Sequence, residues 1–278
     1  MYGPRWQRVI ERILVYLAAL LTLVVMLFPI YWILVTSLKT PVETFASPPK
    51  WFSSPVLDNY QQAFTQMPLF KYLVNSAIIS LIEASLVLVV AAFAAYALAR
   101  FDFFGKRPLT LWILGNQFVP PVVVVIPLFF MFFQLHLVGT YQAIIVAHAA
   151  FLLPFSIWLL RGFFMDVPKD LEESAMVDGA TRLVALFRIV VPLAAPGMAA
   201  VWILALIFAW NDFMIPLALA NEFTKTLPLA VAGFRTDRGI EWGAAAAAGS
   251  VTVLPVLLFA VVAQRRIVAG LTRGAVRG

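Results

Sequence analysis

A few polar side chains interrupt long apolar runs, and each defines a chemistry to test. Glu83 falls near the middle of one run, while Asn116, Gln117, His148, Asn211 and Asp212 lie inside or near the ends of others. An ionised carboxylate at the centre of a membrane-crossing helix costs on the order of 2.5–3.5 kcal/mol, so Glu83 must face protein or water. It reads either as a residue of a solute pathway or as a protonated, hydrogen-bonded contact between helices. His148 has no second histidine or carboxylate at metal-ligand spacing, so packing explains it better than ligation and no metal site is expected. The chain has no cysteine, which removes disulfides, thiolate metal sites and cysteine nucleophiles. With no paired carboxylate, metal cluster or nucleophile constellation, no catalytic residue is assigned. The candidates for a translocation path are Glu83, Asn116, Gln117, Asn211 and Asp212.

A second polar group is compact. The stretch Glu173-Ser174-Ala175-Met176-Val177-Asp178-Gly179-Ala180 is hydrophilic enough for water yet sits between long apolar segments. Pro168-Lys169-Asp170 suits a helix start, with Asp170 and Glu172 at the positive end of the dipole. A helix from there to about Val177 puts Leu171, Ala175 and Met176 near one face, with Glu172 and Glu173 as an acidic margin. Gly179 fits a left-handed C-cap. Asp178 is unfavourable at a helix C-terminus and suits capping the next turn or a helix starting near Thr181. Two to three turns are fewer than the roughly 12–15 residues that make a helix marginally stable alone. This one must pack, either on the ends of its own spans or in a groove of a soluble partner to which it transmits motion.

The elements that position these residues are set by solvent. Of 278 residues, 63% are hydrophobic and 12% charged, about half the charge of a soluble domain. Six segments meet the spanning criterion: 13–37, 72–99, 109–133, 141–161, 196–220 and 242–264. Runs such as Leu86 to Ala92 do not alternate, which excludes a β-barrel and leaves helices. The expected fold is an all-α membrane protein with one transmembrane domain over 13–264, a loop at 162–195 and flanking ends 1–12 and 265–278. Arg5, Arg8 and Arg12 precede a run too long for a secretory signal, so it should remain as a span. Lys and Arg divide about 14 to 6 in favour of the side that holds both ends and the 162–195 loop. That asymmetry puts both termini in the cytoplasm and argues against nucleic acid as the reason for the +6 net charge. The outer loop 38–71, rich in proline, should be extended and irregular. Prolines inside spans (Pro29, Pro120, Pro121, Pro127, Pro154, Pro216 and Pro255) point to kinked or broken helices around a cavity, as in a transporter or channel.

A resemblance sharpens the purpose. Glu173-Ser174-Ala175 and Gly179, followed by Ile189-Val190-Val191-Pro192, resemble the EAA loop of ABC importer permeases, with Ser174 for the usual alanine and Val191 for the usual leucine. Asn75-Ser76, Ala94 to Phe101, Ile126-Pro127-Leu128, Trp158 to Phe164, Trp210-Asn211, Gln264-Arg265-Arg266 and Gly270 to Gly278 extend it over nearly the whole chain. The chain is similar to the maltose-type carbohydrate uptake permeases. The resemblance implies a type I importer fold and a cytoplasmic coupling helix made by Leu171, Glu172, Glu173, Ser174, Ala175, Met176, Asp178, Gly179 and Ala180, with Pro192 beyond it. It also implies a sister permease, a dimeric ATPase that uses ATP and Mg, and an extracytoplasmic binding protein that delivers a sugar or related polyol. In the family the glycine-rich tail touches the ATPases and the outer loop near 221–240 reaches the binding protein. No phosphate-binding GxxxxGK[ST] sequence is present, so ATP hydrolysis belongs to another polypeptide and this chain needs no cofactor. The location implied is the inner cell membrane. Trp210 is open to a sugar-stacking role or to that of an interfacial tryptophan. The alternative is an ion- or proton-coupled secondary transporter that uses Glu83.

Overall fold

The computed structural model describes the backbone of residues 5–52, 55–236 and 239–275, and side chains over 9–52, 55–235 and 239–261. Its helices are α1 (Arg5–Ser37), α2 (Pro41–Thr44), α3 (Asp58–Gln66), α4 (Leu69–Arg100), α5 (Lys106–Gly115), α6 (Pro121–Gln134), α7 (Tyr141–Met165), α8 (Lys169–Val177), α9 (Arg182–Ala185), α10 (Val191–Asn211), α11 (Met214–Leu219), α12 (Leu227–Val231) and α13 (Trp242–Ala275). Two short strands, β1 (Arg235–Thr236) and β2 (Gly239–Ile240), pair antiparallel. Helices prevail because lipid offers backbone groups no other partners.

Among the described residues, five helices are long and apolar enough to cross a membrane: Val9–Ser37, Leu69–Arg100, Tyr141–Met165, Arg182–Asn211 and Trp242–Val261. A sixth span requires Lys106–Phe118 and Pro121–Gln134 to act as one, and these are bent by 97°. The span expected over 109–133 is therefore broken at Pro120-Pro121, two of the prolines that point to broken helices. Pro120 is held in an extended conformation (ψ 130°) by the ring of Pro121, which then starts α6 at the position where a missing amide hydrogen costs least.

The segment expected at 196–220 also differs. The helix begins at Arg182, widens into a π turn over Leu186–Val190, and continues as α10. Pro192 and Pro196 cannot donate to the carbonyls four residues earlier, and the π turn lies just before them. It ends at Asn211, because Asp212 is extended and its carboxylate accepts the Met214 amide at 3.1 Å to begin α11. The outer stretch 38–71 is less irregular than expected, since it contains α2 and α3. Thr40 and Glu43 form a capping box on α2. The buried Asn59 Nδ2 donates to Ser37 O and Lys39 O at 3.0 and 2.7 Å, closing the end of α1. Of the predicted tail 265–278, residues through Ala275 continue α13; 276–278, and the Arg5 and Arg8 side chains, lie outside the described residues.

The chain divides into two compact units, Met1–Pro68 with Val231–Val251, and Leu69–Ala230 with Thr252–Gly278. In the first, the most apolar stretch of α1 has no buried residue, a surface suited to lipid rather than water. Lys39 is buried there with its ammonium 4.2 Å from the Trp32 ring. In the second, α4, α7 and α10 pack together. Ile79, Ala84, Val87, Ala91, Ala95 and Leu98 make the buried stripe of α4 at helical spacing. The small residues among them let helices approach closely, which lipid-embedded packing favours.

One approach is especially tight. A Cβ on Gly197 of α10 would lie 2.4 Å from the Phe163 ring of α7, whereas one on Gly162 would meet nothing within 4 Å. Gly197→Ala should cost about 1–3 kcal/mol by overpacking and lower the melting temperature of the detergent-solubilised chain; Gly162→Ala, in the same assay, should not.

Candidate coupling site and intramembrane polar cluster

Helix α8 starts after Pro168 and carries Asp170 and Glu172 in its first turn. It ends in a Schellman arrangement: the Gly179 amide bonds Met176 O at 3.1 Å and the Ala180 amide bonds Ala175 O at 2.9 Å. Gly179 has φ +90°, the left-handed conformation that glycine adopts without steric cost. Asp178 does not cap the next helix. Thr181 caps α9, its hydroxyl accepting the Val184 amide at 3.3 Å, and Asp178 remains exposed at the C-cap of α8.

The packed face of α8 is turned from the one its hydrophobicity suggests, so that Glu172 joins Ala175 and Met176 in place of Leu171. Leu171 is 46% exposed and Glu172 only 4%. The Glu172 carboxylate forms an ion pair with Arg100 Nε and accepts a 2.8 Å hydrogen bond from Tyr96 Oη, while Arg100 Nη2 donates to Val167 O at 2.9 Å. Both charged side chains are almost wholly buried. Such a pair persists because each group is also hydrogen-bonded. Ala175, Met176 and Ala180 are half-buried; Glu173, Ser174, Val177 and Pro192 are exposed. Ser174 Oγ turns back onto Asp170 O at 2.7 Å. Tyr96 and Arg100, at the end of α4, belong to the string Ala94 to Phe101, whose resemblance assigns neither of them a role. Their spacing of four at a span terminus is the signal that could have found them.

The path candidates separate into two groups. Glu83 on α4 is fully buried, with Oε1 2.6 Å from His148 Nδ1 on α7. The two atoms are close but not aligned for a hydrogen bond, and neither Glu83 oxygen has another partner among the described residues. Asp212 is near enough to act electrostatically on both. The structure thus pairs His148 with a carboxylate from a distant part of the sequence. By contrast, Asn116 Nδ2 donates to Trp112 O and Asn211 Nδ2 to Ile207 O, each within its own helix, and Gln117 is exposed. Trp210 is neither interfacial nor a stacking platform: it is 3% exposed, and Nε1 donates to Thr252 O at 3.1 Å.

At the opposite end of α4, Asn75 and Ser76 hold the loop before α12. Asn75 Nδ2 donates to Phe223 O and Lys225 O, both at 2.8 Å, and its Oδ1 accepts from Tyr141 Oη at 2.7 Å. Ser76 Oγ accepts the Leu227 amide at 2.8 Å. Lys225 and Tyr72 hold the Glu222 carboxyl below the usual carboxylate range. The resemblance marks Asn75-Ser76 without a role, because the backbone groups they bind carry no residue signal.

A short polar helix tied to one end of a long membrane-crossing helix, in a chain of such helices, matches one family description over residues 87–273: "Binding-protein-dependent transport system inner membrane component". The chain belongs to this family. Among its relatives is the trehalose transport system permease protein SugB of Mycobacterium tuberculosis, 41% identical over 268 residues, covering 95% of this chain and 97% of that one. The sulfoquinovosyl glycerol transport system permease protein SmoH of Agrobacterium fabrum is 38% identical over 95% of this chain and 93% of its own length. A solved bacterial ABC transporter involved in import of the acidic polysaccharide alginate shares the fold, with a TM-score of 0.79 at 20% identity over 95% of this chain and 99% of that one. The chain is therefore an all-α, membrane-embedded ABC importer permease, a component that moves solute and makes or breaks no bond.

Removing one member of the buried pair should expose what it holds. Glu172→Ala strands the Arg100 guanidinium and should destabilise the fold by about 3–5 kcal/mol; Glu172→Gln keeps an acceptor for Tyr96 and should cost less. Thermal unfolding of the two purified variants checks the order.

Proposed function

We propose that the chain is the permease subunit of an ATP-driven importer that carries a sugar, oligosaccharide or related polyol into the cell. The observation that carries the mechanism is the double nature of α8: its Glu172 is locked to α4, and its Leu171 and Val177 face outward without cover among the described residues. An apolar edge on a helix rigidly joined to a span suits insertion into a cleft of a cytoplasmic ATPase. Closure of the ATPase dimer, using ATP and Mg, would drag the 170–180 helix, rock the spans and open the path to solute from an external binding protein. The coupling residues are Leu171 to Met176 and Asp178 to Ala180, with Pro192 at the start of α10. The substrate class is supported by relatives named for trehalose, trehalose/maltose and diacetylchitobiose transport at 35–41% identity. We assign a sister permease as the second half of the channel and place both termini in the cytoplasm on the lysine and arginine asymmetry.

Proline cannot adopt the +90° φ of Gly179. Gly179→Pro should abolish ATP-driven sugar uptake by proteoliposomes containing the whole transporter, while the chain still inserts and the binding protein still binds sugar. Wild-type uptake should be indifferent to an ionophore and should persist in Glu83→Gln. Uptake by the chain alone that an ionophore collapses would replace this reading with ion coupling through Glu83.

A further inference from the structure

At the end of α4 and α7 that carries α8, the fold leaves cations without counter-ions. A cavity of about 500 Å³ is lined by Asp102, Phe103, Lys106, Arg107, Leu111 and Arg161 among others. Asp102 and Lys106 satisfy each other at 2.9 Å, and the ammonium holds the Asp102 carboxyl below the usual carboxylate range. Arg107 and Arg161 have no ion pair among the described residues, and Arg161 Nε is buried with no hydrogen-bond partner. A guanidinium stays charged at any physiological pH, and a buried donor left unpaired is costly. The cavity is therefore suited to an anion.

The neighbouring side chains identify its kind. Leu111 is 60% exposed and Trp112 68%, and Phe104 is fully exposed. A small soluble anion needs only the cations, whereas apolar side chains beside cations at the end of a span suit a molecule with an acidic head and hydrocarbon chains. We propose that this cavity holds the headgroup of an anionic phospholipid, its phosphate on Arg107 and Arg161 and its acyl chains along Leu111 and Trp112. The leaflet is the one facing α8, which the proposed topology makes cytoplasmic. Asp102 lies two residues beyond Arg100, so the bound lipid sits beside the end of α4 that anchors the coupling helix.

The test is native mass spectrometry of the full-length chain in detergent, offered phosphatidylglycerol or phosphatidylcholine. Phosphatidylglycerol should be retained preferentially, and Arg161→Gln and Arg107→Gln should each weaken its retention about fivefold, equivalent to about 1 kcal/mol per cation. Arg188→Gln, a cation outside the cavity, should change nothing. Arg107 is exposed, so its variant keeps the test valid should Arg161→Gln unfold. Equal retention of the two lipids, or a preference unchanged in both cavity variants, would overturn the proposal. Displacement of phosphatidylglycerol by excess inorganic phosphate would assign the cavity to a soluble anion instead. Because the chain has no cysteine, Lys169→Cys gives a single thiol whose side is read with a membrane-impermeant maleimide. Labelling from outside would overturn the topology alone, leaving lipid preference to decide the site.

Discussion

The contact between Glu172 and Arg100 fixes how α8 is held against the end of α4. Helix α8 has nine residues, fewer than a helix needs to persist by itself, so its existence depends on what it packs against. It packs through a charge. Ion pairs taken out of water add little net stability, because desolvation offsets most of their attraction, but they tolerate few geometries. Tyr96, Arg100 and Val167 together admit one orientation of α8. That orientation turns Leu171 and Val177 away from the protein.

The same demand for satisfied polar groups explains where helices stop. Each interruption is met by a group suited to it: Pro121 opens α6 with no amide hydrogen to lose, Asp212 accepts the first amide of α11, and Thr181 caps α9. Farther out, Asn75 binds two carbonyls of a loop and Ser76 binds an amide. Helix α4 thus fastens non-helical backbone at one end and the short helix α8 at the other.

The spans are legible in the sequence because long apolar runs leave few alternatives, and α8 is legible from Pro168 at its start and Gly179 at its end. Its buried face is not. Over nine residues a hydrophobic stripe of Leu171, Ala175 and Met176 outweighs a lone Glu172, and the partner that reverses the choice lies 72 residues away. Glu83 and His148 escape pairing for the same reason: each looks solitary along its own helix. The breaks at Pro120 and Asn211 coincide with Pro120-Pro121 and Asn211-Asp212, but the apolar runs on either side are long enough to be read as one span. The prolines as a group announce broken helices, but the place of each break depends on local dihedrals that composition does not encode.

The helical run from Arg182 to Asn211 contains 30 residues, hence a shaft of about 45 Å at 1.5 Å per residue. No loop separates its two ends. A tilt of about 10° where it meets α8 would sweep the far tip through about 8 Å, roughly one and a half helical turns. That tip is Asn211, one residue before Asp212, which is near enough to act electrostatically on Glu83 and His148. The π turn near the base adds a point of torsion, so that a push there would be delivered as leverage on the buried polar cluster.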